Sequence, residues 1–188
     1  VACHLTEDAG LQPGDRVVVW GPNCPAPVAT LFGALLARLV LVPLDPHASA
    51  DFVERVAVAT DAAMLITTPP LPEGLPCRTL RLDDLPLAAD RTFTGPGPAR
   101  DDVAEIVFTS GTTGSPKGVV LTHANVVADV AAAGETLGIE PRHLLSILPL
   151  SHMLEQTAGL FLPLSYGGTI HYLTSRQLRA RLMAELER

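Results

Sequence analysis

The chain has 188 residues, 47% of them apolar and 4% aromatic, with a formal charge of -7 and a mean hydropathy of +0.30. That length holds a sizeable core in one large or two small domains, and the acidic balance excludes an electrostatic footprint for nucleic acid. Three cysteines (Cys3, Cys24, Cys77), far apart and without a C-x-x-C spacing, exclude a disulfide framework and a cysteine metal site and suit a reducing, cytoplasmic setting. No signal peptide is visible, because Val1–Leu5 is followed at once by Thr6, Glu7 and Asp8.

Leu5, Ala9 and Leu11 read as the tail of a helix ahead of Gly14. The apolar run Val17–Trp20, opened by Gly14-Asp15-Arg16 and closed by Gly21-Pro22-Asn23, predicts a buried strand. A helix follows over Pro25 to Arg38, with proline in the first turn where a missing N–H does no harm. Leu39 to Leu44 is a second strand. The stretch from Ala26 to Leu44 is the longest apolar one, but Arg38 at its middle costs roughly 2.5–3.5 kcal/mol in a bilayer, so helix plus strand explains it better than a membrane span. Ala48 to Ala59 predicts a helix with Phe52, Val53, Val56 and Ala59 on one face, and Ala63 to Thr67 a third strand. This alternation predicts an α/β fold, three layers with a mainly parallel sheet between helices.

Proline- and glycine-rich connections occupy 68 to 76 and 94 to 102, with a strand at Arg78 to Leu82 between them. They divide the chain into a first α/β portion (1–93), a connection (94–102) and a second α/β portion (103–188). The second portion reads as strand Glu105–Thr109, a loop, strand Val119–Leu121, and a helix from His123 to Leu137 with Thr122 as its N-cap. Val126, Val127 and Val130 form a stripe expected to face the core rather than an acyl pocket. Leu144–Leu148 is another strand, Ser151 caps a helix that breaks near Pro163, Gly167-Gly168 turns the chain, and Thr169–Leu173 is the last strand. A basic and acidic helix from Arg176 has no stop signal, so both ends look cut.

Of thirteen Lys and Arg residues, Lys117 is the single lysine, and it lies in the one loop dense in glycine and hydroxyls. Between Thr109 and Ser115 five residues carry hydroxyls and two are glycine. Phosphates are held by backbone N–H groups that a glycine-rich bend aims at one point, by hydroxyl donors, and by a cation. A lysine ammonium serves a phosphate as a point charge, where arginine prefers a planar bidentate partner. The loop therefore reads as a phosphate cradle; the bland alternative is a glycine-rich hairpin whose hydroxyls satisfy turn backbone. Pro116 before the lysine and Gly118 after it exclude the G-x-x-x-x-G-K-[ST] phosphate loop, and G-x-G-x-x-G is absent too.

The eleven residues Phe108 to Gly118 fit [YF]-[TS]-[ST]-G-[ST]-T-G-x-P-K-G, and so resemble the phosphate loop of the adenylate-forming (AMP-binding) superfamily: acyl-CoA synthetases, peptide-synthetase adenylation domains and luciferases. Thr122-His123-Ala124-Asn125 resembles that family's continuation. Gly14-Asp15-Arg16-Val17 with Asn23, and Val42-Pro43-Leu44-Asp45-Pro46, resemble its first core strands. Leu148 to Gln156 looks most like the long-chain fatty acyl-CoA synthetase branch. The resemblance implies an enzyme that activates a fatty acid with ATP and Mg²⁺, releases pyrophosphate, and passes the acyl group to CoA. Thr109, Ser110, Gly111, Thr112, Thr113, Gly114 and Lys117 would hold the ATP phosphates, with Thr109 (or Ser110) beside the metal-bound phosphate. His152 would lie near the acyl carboxylate, with a packed surface histidine as the alternative, and Glu155 would either orient His152 or be a solvated helix residue. Asp101 and Asp102 belong to the connecting loop.

The family's adenine- and ribose-binding segments, its hinge and its C-terminal domain with a catalytic lysine have no counterpart here. The resemblance therefore implies a fragment, inactive alone and prone to self-association, of a long-chain fatty acid–CoA ligase that can associate peripherally with membranes. Within the class, an aryl-CoA ligase or a peptide-synthetase adenylation domain is the alternative. Outside it, the alternative is a non-catalytic module that binds a nucleotide or a partner.

Overall fold

The computed structural model describes residues 1–68, 74–75, 77–87, 91–109, 116–138 and 143–172. Their frame is a six-stranded sheet in the order β4-β3-β1-β2-β5-β6, made of β1 (Arg16–Trp20), β2 (Val40–Leu44), β3 (Met64–Thr67), β4 (Arg78–Arg81), β5 (Val103–Thr109) and β6 (Lys117–Thr122). Every pairing is parallel except that of β5 with β6. The near-continuous apolar strands β1, β2 and β3 are buried on both faces, as a parallel sheet requires.

Helix α1 (Pro25–Leu36) joins β1 to β2, and α2 (Ala50–Ala59) joins β2 to β3. The chain steps one way along the sheet and then back past β1, so right-handed crossovers put the two helices on opposite faces. Leu31 and Ala34 of α1 pack with Val17, Val19 and Leu41, while Val53, Val56 and Ala57 of α2 pack with Val18, Val42 and Leu65. The buried stripe of α2 runs through Ala57 and Thr60, whereas Ala59, expected on it, is exposed. Ser49 caps α2 by accepting from the Phe52 N–H.

Arg38 follows α1 in the left-handed region, with φ 60°. Its guanidinium meets Asp102 at 2.9 Å, and Asp102 also accepts from the Ala99 N–H at 2.8 Å. This pair pins the connection ahead of β5 to the end of α1 and holds the Asp102 carboxyl below the usual carboxylate range. Asp102 is thus a structural loop residue, as read from its place in the sequence.

Helix α3 (His123–Leu137) begins in a reciprocal capping box: Thr122 Oγ1 accepts from the Asn125 N–H, and Asn125 Oδ1 accepts from the Thr122 N–H. Gly138, at φ 59°, ends it. Strands β7 (His143–Ser146) and β8 (Thr169–Tyr172) form a separate parallel pair. Between them the helical run starts at Met153, beyond the expected Ser151 cap. It passes through a π-helical stretch, Glu155–Phe161, directly into α4 (Leu162–Ser165). The helix expected to break near Pro163 ends at Ser165. Pro163 stands in the first turn of α4, where its missing N–H is tolerated.

The valine stripe of α3 departs from expectation. No residue of α3 is buried, and Val127 is 63% exposed; with Val126 and Val130 it lines an open apolar cavity instead of filling a core. Among the described residues the three cysteines are free thiols, and no helix is long and apolar enough to cross a membrane. The helix expected from Arg176, and Leu173 of the last expected strand, lie outside the described residues.

Candidate active site at the carboxyl ends of the strands

In an open parallel sheet, ligand-binding residues gather where strands end, since the loops there face a crevice between oppositely directed crossovers. β5 carries Thr109 to that edge, and β6 starts from it with Lys117. The two residues are register partners, Thr109 opposite Lys117, so the segment read from the sequence as a phosphate cradle connects the two strands of an antiparallel hairpin. Lys117 is exposed and forms no ion pair with another described residue. Ser110, Gly111, Thr112, Thr113 and Gly114 lie outside the described residues.

Gly118 has a packing reason. A Cβ there would come within 2.7 Å of the Ile106 side chain and 3.1 Å of the Phe108 ring. Phe108 and Gly118 are opposite each other in the ladder, so the large and the absent side chain at the two ends of the signature fit one another.

The segment carrying His152 is held over the same strand ends by Asn23, which follows β1. Asn23 Nδ2 donates to Ser146 Oγ at 2.9 Å and to the Leu148 carbonyl, and its Oδ1 accepts from the Leu150 N–H at 3.0 Å. Leu150 and Ser151 line a small cleft with Gly21, Pro43 and Leu44 at the ends of β1 and β2. A side-chain amide that accepts one backbone bond and donates two others fixes the register of an irregular segment. Asn23 was read only as part of a resemblance; its spacing of more than 120 residues from its partners left no local signal.

His152 is exposed on this segment. Glu155 does not orient it. The Glu155 carboxylate is buried and accepts from the Leu148 N–H at 3.1 Å, which closes the turn 148–155. Neither expectation for Glu155, orienting group or solvated residue, describes it. Gln156 is fully buried and donates to the Leu150 carbonyl at 2.8 Å, bracing the same turn from inside.

Behind these residues the cavity beneath α3 has a volume of about 470 Å³. Glu105, on β5 four residues before Thr109, reaches it from the sheet, and Gln156 reaches it from the π-helical stretch. Burial pushes the Glu105 carboxyl up to about 7, with the neighbouring Gln156 amide offsetting part of the rise without forming a well-aligned bond. Sequence inspection passed over Glu105. An acidic residue amid the apolar letters of a central strand was the signal available.

Among the described residues no three His, Cys, Asp or Glu side chains converge as a metal site. The hydroxyl, glycine and lysine content between Thr109 and Lys117 suits an anion with its counter-charge.

The chain is similar over most of its length to known proteins. It is 35% identical over 168 residues to a feruloyl-CoA synthase of an Amycolatopsis species, covering 86% of this chain and 34% of that protein. To phenyloxazoline synthase MbtB of Mycobacterium tuberculosis it is 39% identical over 117 residues, covering 61% of this chain and 8% of that protein. In fold it is similar to o-succinylbenzoate CoA synthetase (MenE) of Bacillus subtilis, solved with its acyl-adenylate intermediate. The TM-score is 0.82 at 23% identity, over 97% of this chain and 49% of that one. The fatty acid AMP ligase of Legionella pneumophila shares the fold with a TM-score of 0.80 at 22% identity, over 97% of this chain and 34% of that one. The chain thus spans about a third of the feruloyl-CoA synthase it matches. A family model described as AMP-binding enzyme matches residues 1–188, and the chain belongs to that family of adenylate-forming enzymes.

Proposed function

We propose that the protein carrying this chain is an ATP-dependent, AMP-forming carboxylate–CoA ligase, to which these residues contribute the phosphate loop and the wall of the acid site. The observation that carries the reading is the hairpin of β5 and β6. It sets Thr109 opposite Lys117 at the carboxyl edge of a parallel sheet and closes an eleven-residue signature of phosphate-binding composition.

Thr109, Ser110, Gly111, Thr112, Thr113, Gly114 and Lys117 hold the β- and γ-phosphates. A carboxylate oxygen of the acid attacks the α-phosphorus, the bond to the β-phosphate oxygen breaks, and pyrophosphate leaves with its growing charge stabilised by the loop's donors. No protein nucleophile is needed. The thiol sulfur of CoA then attacks the acyl carbon, and AMP departs. Mg²⁺ would neutralise phosphate charge, reaching this part of the chain through the phosphates beside Thr109. His152, exposed over the strand ends, lies on the approach of the carboxylate and thiol.

The acid is apolar. The Leu148–Gln156 segment supports a long-chain fatty acid; the 35% identity to a feruloyl-CoA synthase supports an aromatic acid instead. The test is ATP–pyrophosphate exchange by the full-length protein with palmitate, benzoate and acetate offered separately. Exchange dependent on palmitate is expected from the fatty-acid reading, and exchange confined to benzoate assigns the aromatic one. No exchange with any acid, on folded protein, removes the ligase and leaves a nucleotide-binding module.

A further inference from the structure

The turn 148–155 is closed from within the helical run it leads into. Glu155 opens the π-helical stretch, and its buried carboxylate reaches back to accept from the Leu148 N–H at 3.1 Å. Inside that closure the Pro149 carbonyl accepts from the His152 N–H at 2.9 Å, and the His152 carbonyl accepts from the Gln156 N–H at 3.1 Å. The backbone of His152 is thus bonded on both sides, within a turn whose first N–H is held by Glu155. Gly159, buried about one turn further along the same stretch, lets the carboxylate lie there. A Cβ at Gly159 would stand 2.7 Å from both Cδ and Oε1 of Glu155 and 3.1 Å from Oε2. Short π-helical stretches are rare and frequent at functional sites, and this one starts three residues after His152.

From this we infer that Glu155 and Gly159 are positioning residues for the reaction: Glu155 fixes the turn that presents His152 to the acid, and Gly159 keeps the space its carboxylate needs. Both roles presuppose the ligase reading and add to it two residues that touch no reacting atom. Glu155 acts through Leu148 and the backbone of the turn, not through the His152 ring. Its Oε1 has no hydrogen-bond partner among the described residues, and a buried acceptor left unpaired costs stability. An apolar side chain would therefore serve the packing better, and the bond to Leu148 is what the carboxylate contributes. Gly159 is likewise a poor helix residue beside alanine until the carboxylate next to it is counted. Placement matters, because a shift of about 1 Å in a reacting group can cost about 10²-fold in rate. The β5–β6 hairpin shares none of these bonds, so ATP binding should not feel their loss.

The test is ATP–pyrophosphate exchange by the full-length protein with palmitate and with benzoate, beside amide exchange at Leu148 in the absence of ATP. Glu155→Ala should lower kcat at least tenfold while KM for ATP stays within twofold. Glu155→Gln, whose amide oxygen still accepts from Leu148, should return kcat to within threefold of wild type. Gly159→Ala should lower kcat at least fivefold. Added to Glu155→Ala it should cost less than twofold more, since no carboxylate is left to displace. Amide exchange at Leu148 should quicken at least tenfold in Glu155→Ala and in Gly159→Ala, and not in Glu155→Gln. Should Glu155→Ala fail to fold, Gly159→Ala and Glu155→Gln carry the test alone. Unchanged kcat in Gly159→Ala, losses that multiply in the double variant, a rise in KM for ATP that matches the fall in kcat, or no rescue by Glu155→Gln would overturn the inference. A wild type without pyrophosphate exchange would remove the ligase reading instead, and amide exchange at Leu148 would still decide whether these two residues hold the turn.

Discussion

At neutral pH the carboxyl of Glu105 is near the midpoint of its own titration, held up to about 7 by burial. A carboxyl whose pKa is raised on folding favours the native state at low pH, where both states are protonated, and loses that advantage as pH climbs from the unfolded value through the folded one. From an ordinary 4.5 to about 7, the shift corresponds to about 3 kcal/mol. Glu105→Gln is therefore expected to leave stability unchanged near pH 4.5 and to raise it, relative to wild type, by up to about 3 kcal/mol above pH 8. Urea unfolding of the two proteins across that range checks this; a constant difference would dismiss the titration of Glu105 as its cause. Lys117 is a different kind of residue, exposed and without an ion pair among described residues. Lys117→Ala should lower kcat/KM for ATP at least a few-fold with little change in unfolding midpoint, and an unaltered kcat/KM would take Lys117 out of the site.

Among the elements, the strands and helices of the sheet were legible wherever one periodicity ruled: β1, β2, β3, α1, α2 and α3 stand within a few residues of where their letters put them. The run 153–165 was legible in where it ends, near Pro163, but not in its π-helical stretch, which follows no α-helical periodicity. Nor was the fate of the Val126 stripe legible. Periodicity shows that residues share a face, whereas filling that face depends on what packs opposite. The reading of 109–117 as a phosphate cradle rests on composition alone, which is local. The support of the site by Asn23 was not legible, because those bonds join β1 to the segment after β7. Removing them in Asn23→Ala frees two acceptors and a donor and should cost about 2–3 kcal/mol in stability. Faster amide exchange confined to residues 146–152 would accompany it. Exchange at wild-type rates there would show that the segment is held by other means.

The molecule as a whole gathers its candidate site residues at one edge: the ends of β1, β2 and β5, the turn 148–155, and the start of β6 all meet the same side of the sheet. It also leaves large apolar side chains uncovered on several elements, among them Val120 at 56%, Ile147 at 66% and Leu154 at 66% exposure. Exposed apolar surface of this kind marks interaction sites or drives association. The isolated 188-residue chain should accordingly self-associate at tens of micromolar, and a single monomeric boundary in sedimentation velocity at that concentration would contradict it. The β5–β6 hairpin has one more effect. Register partners in an antiparallel ladder are about 4.5–5.5 Å apart, so pairing Thr109 with Lys117 sets the distance between the two ends of the segment that joins them. The entropy of bringing those ends together is lost when the sheet forms, not when a ligand binds. An inserted residue would lengthen the joining segment while leaving its two posts, Thr109 and Lys117, where they stand, with the fold untouched.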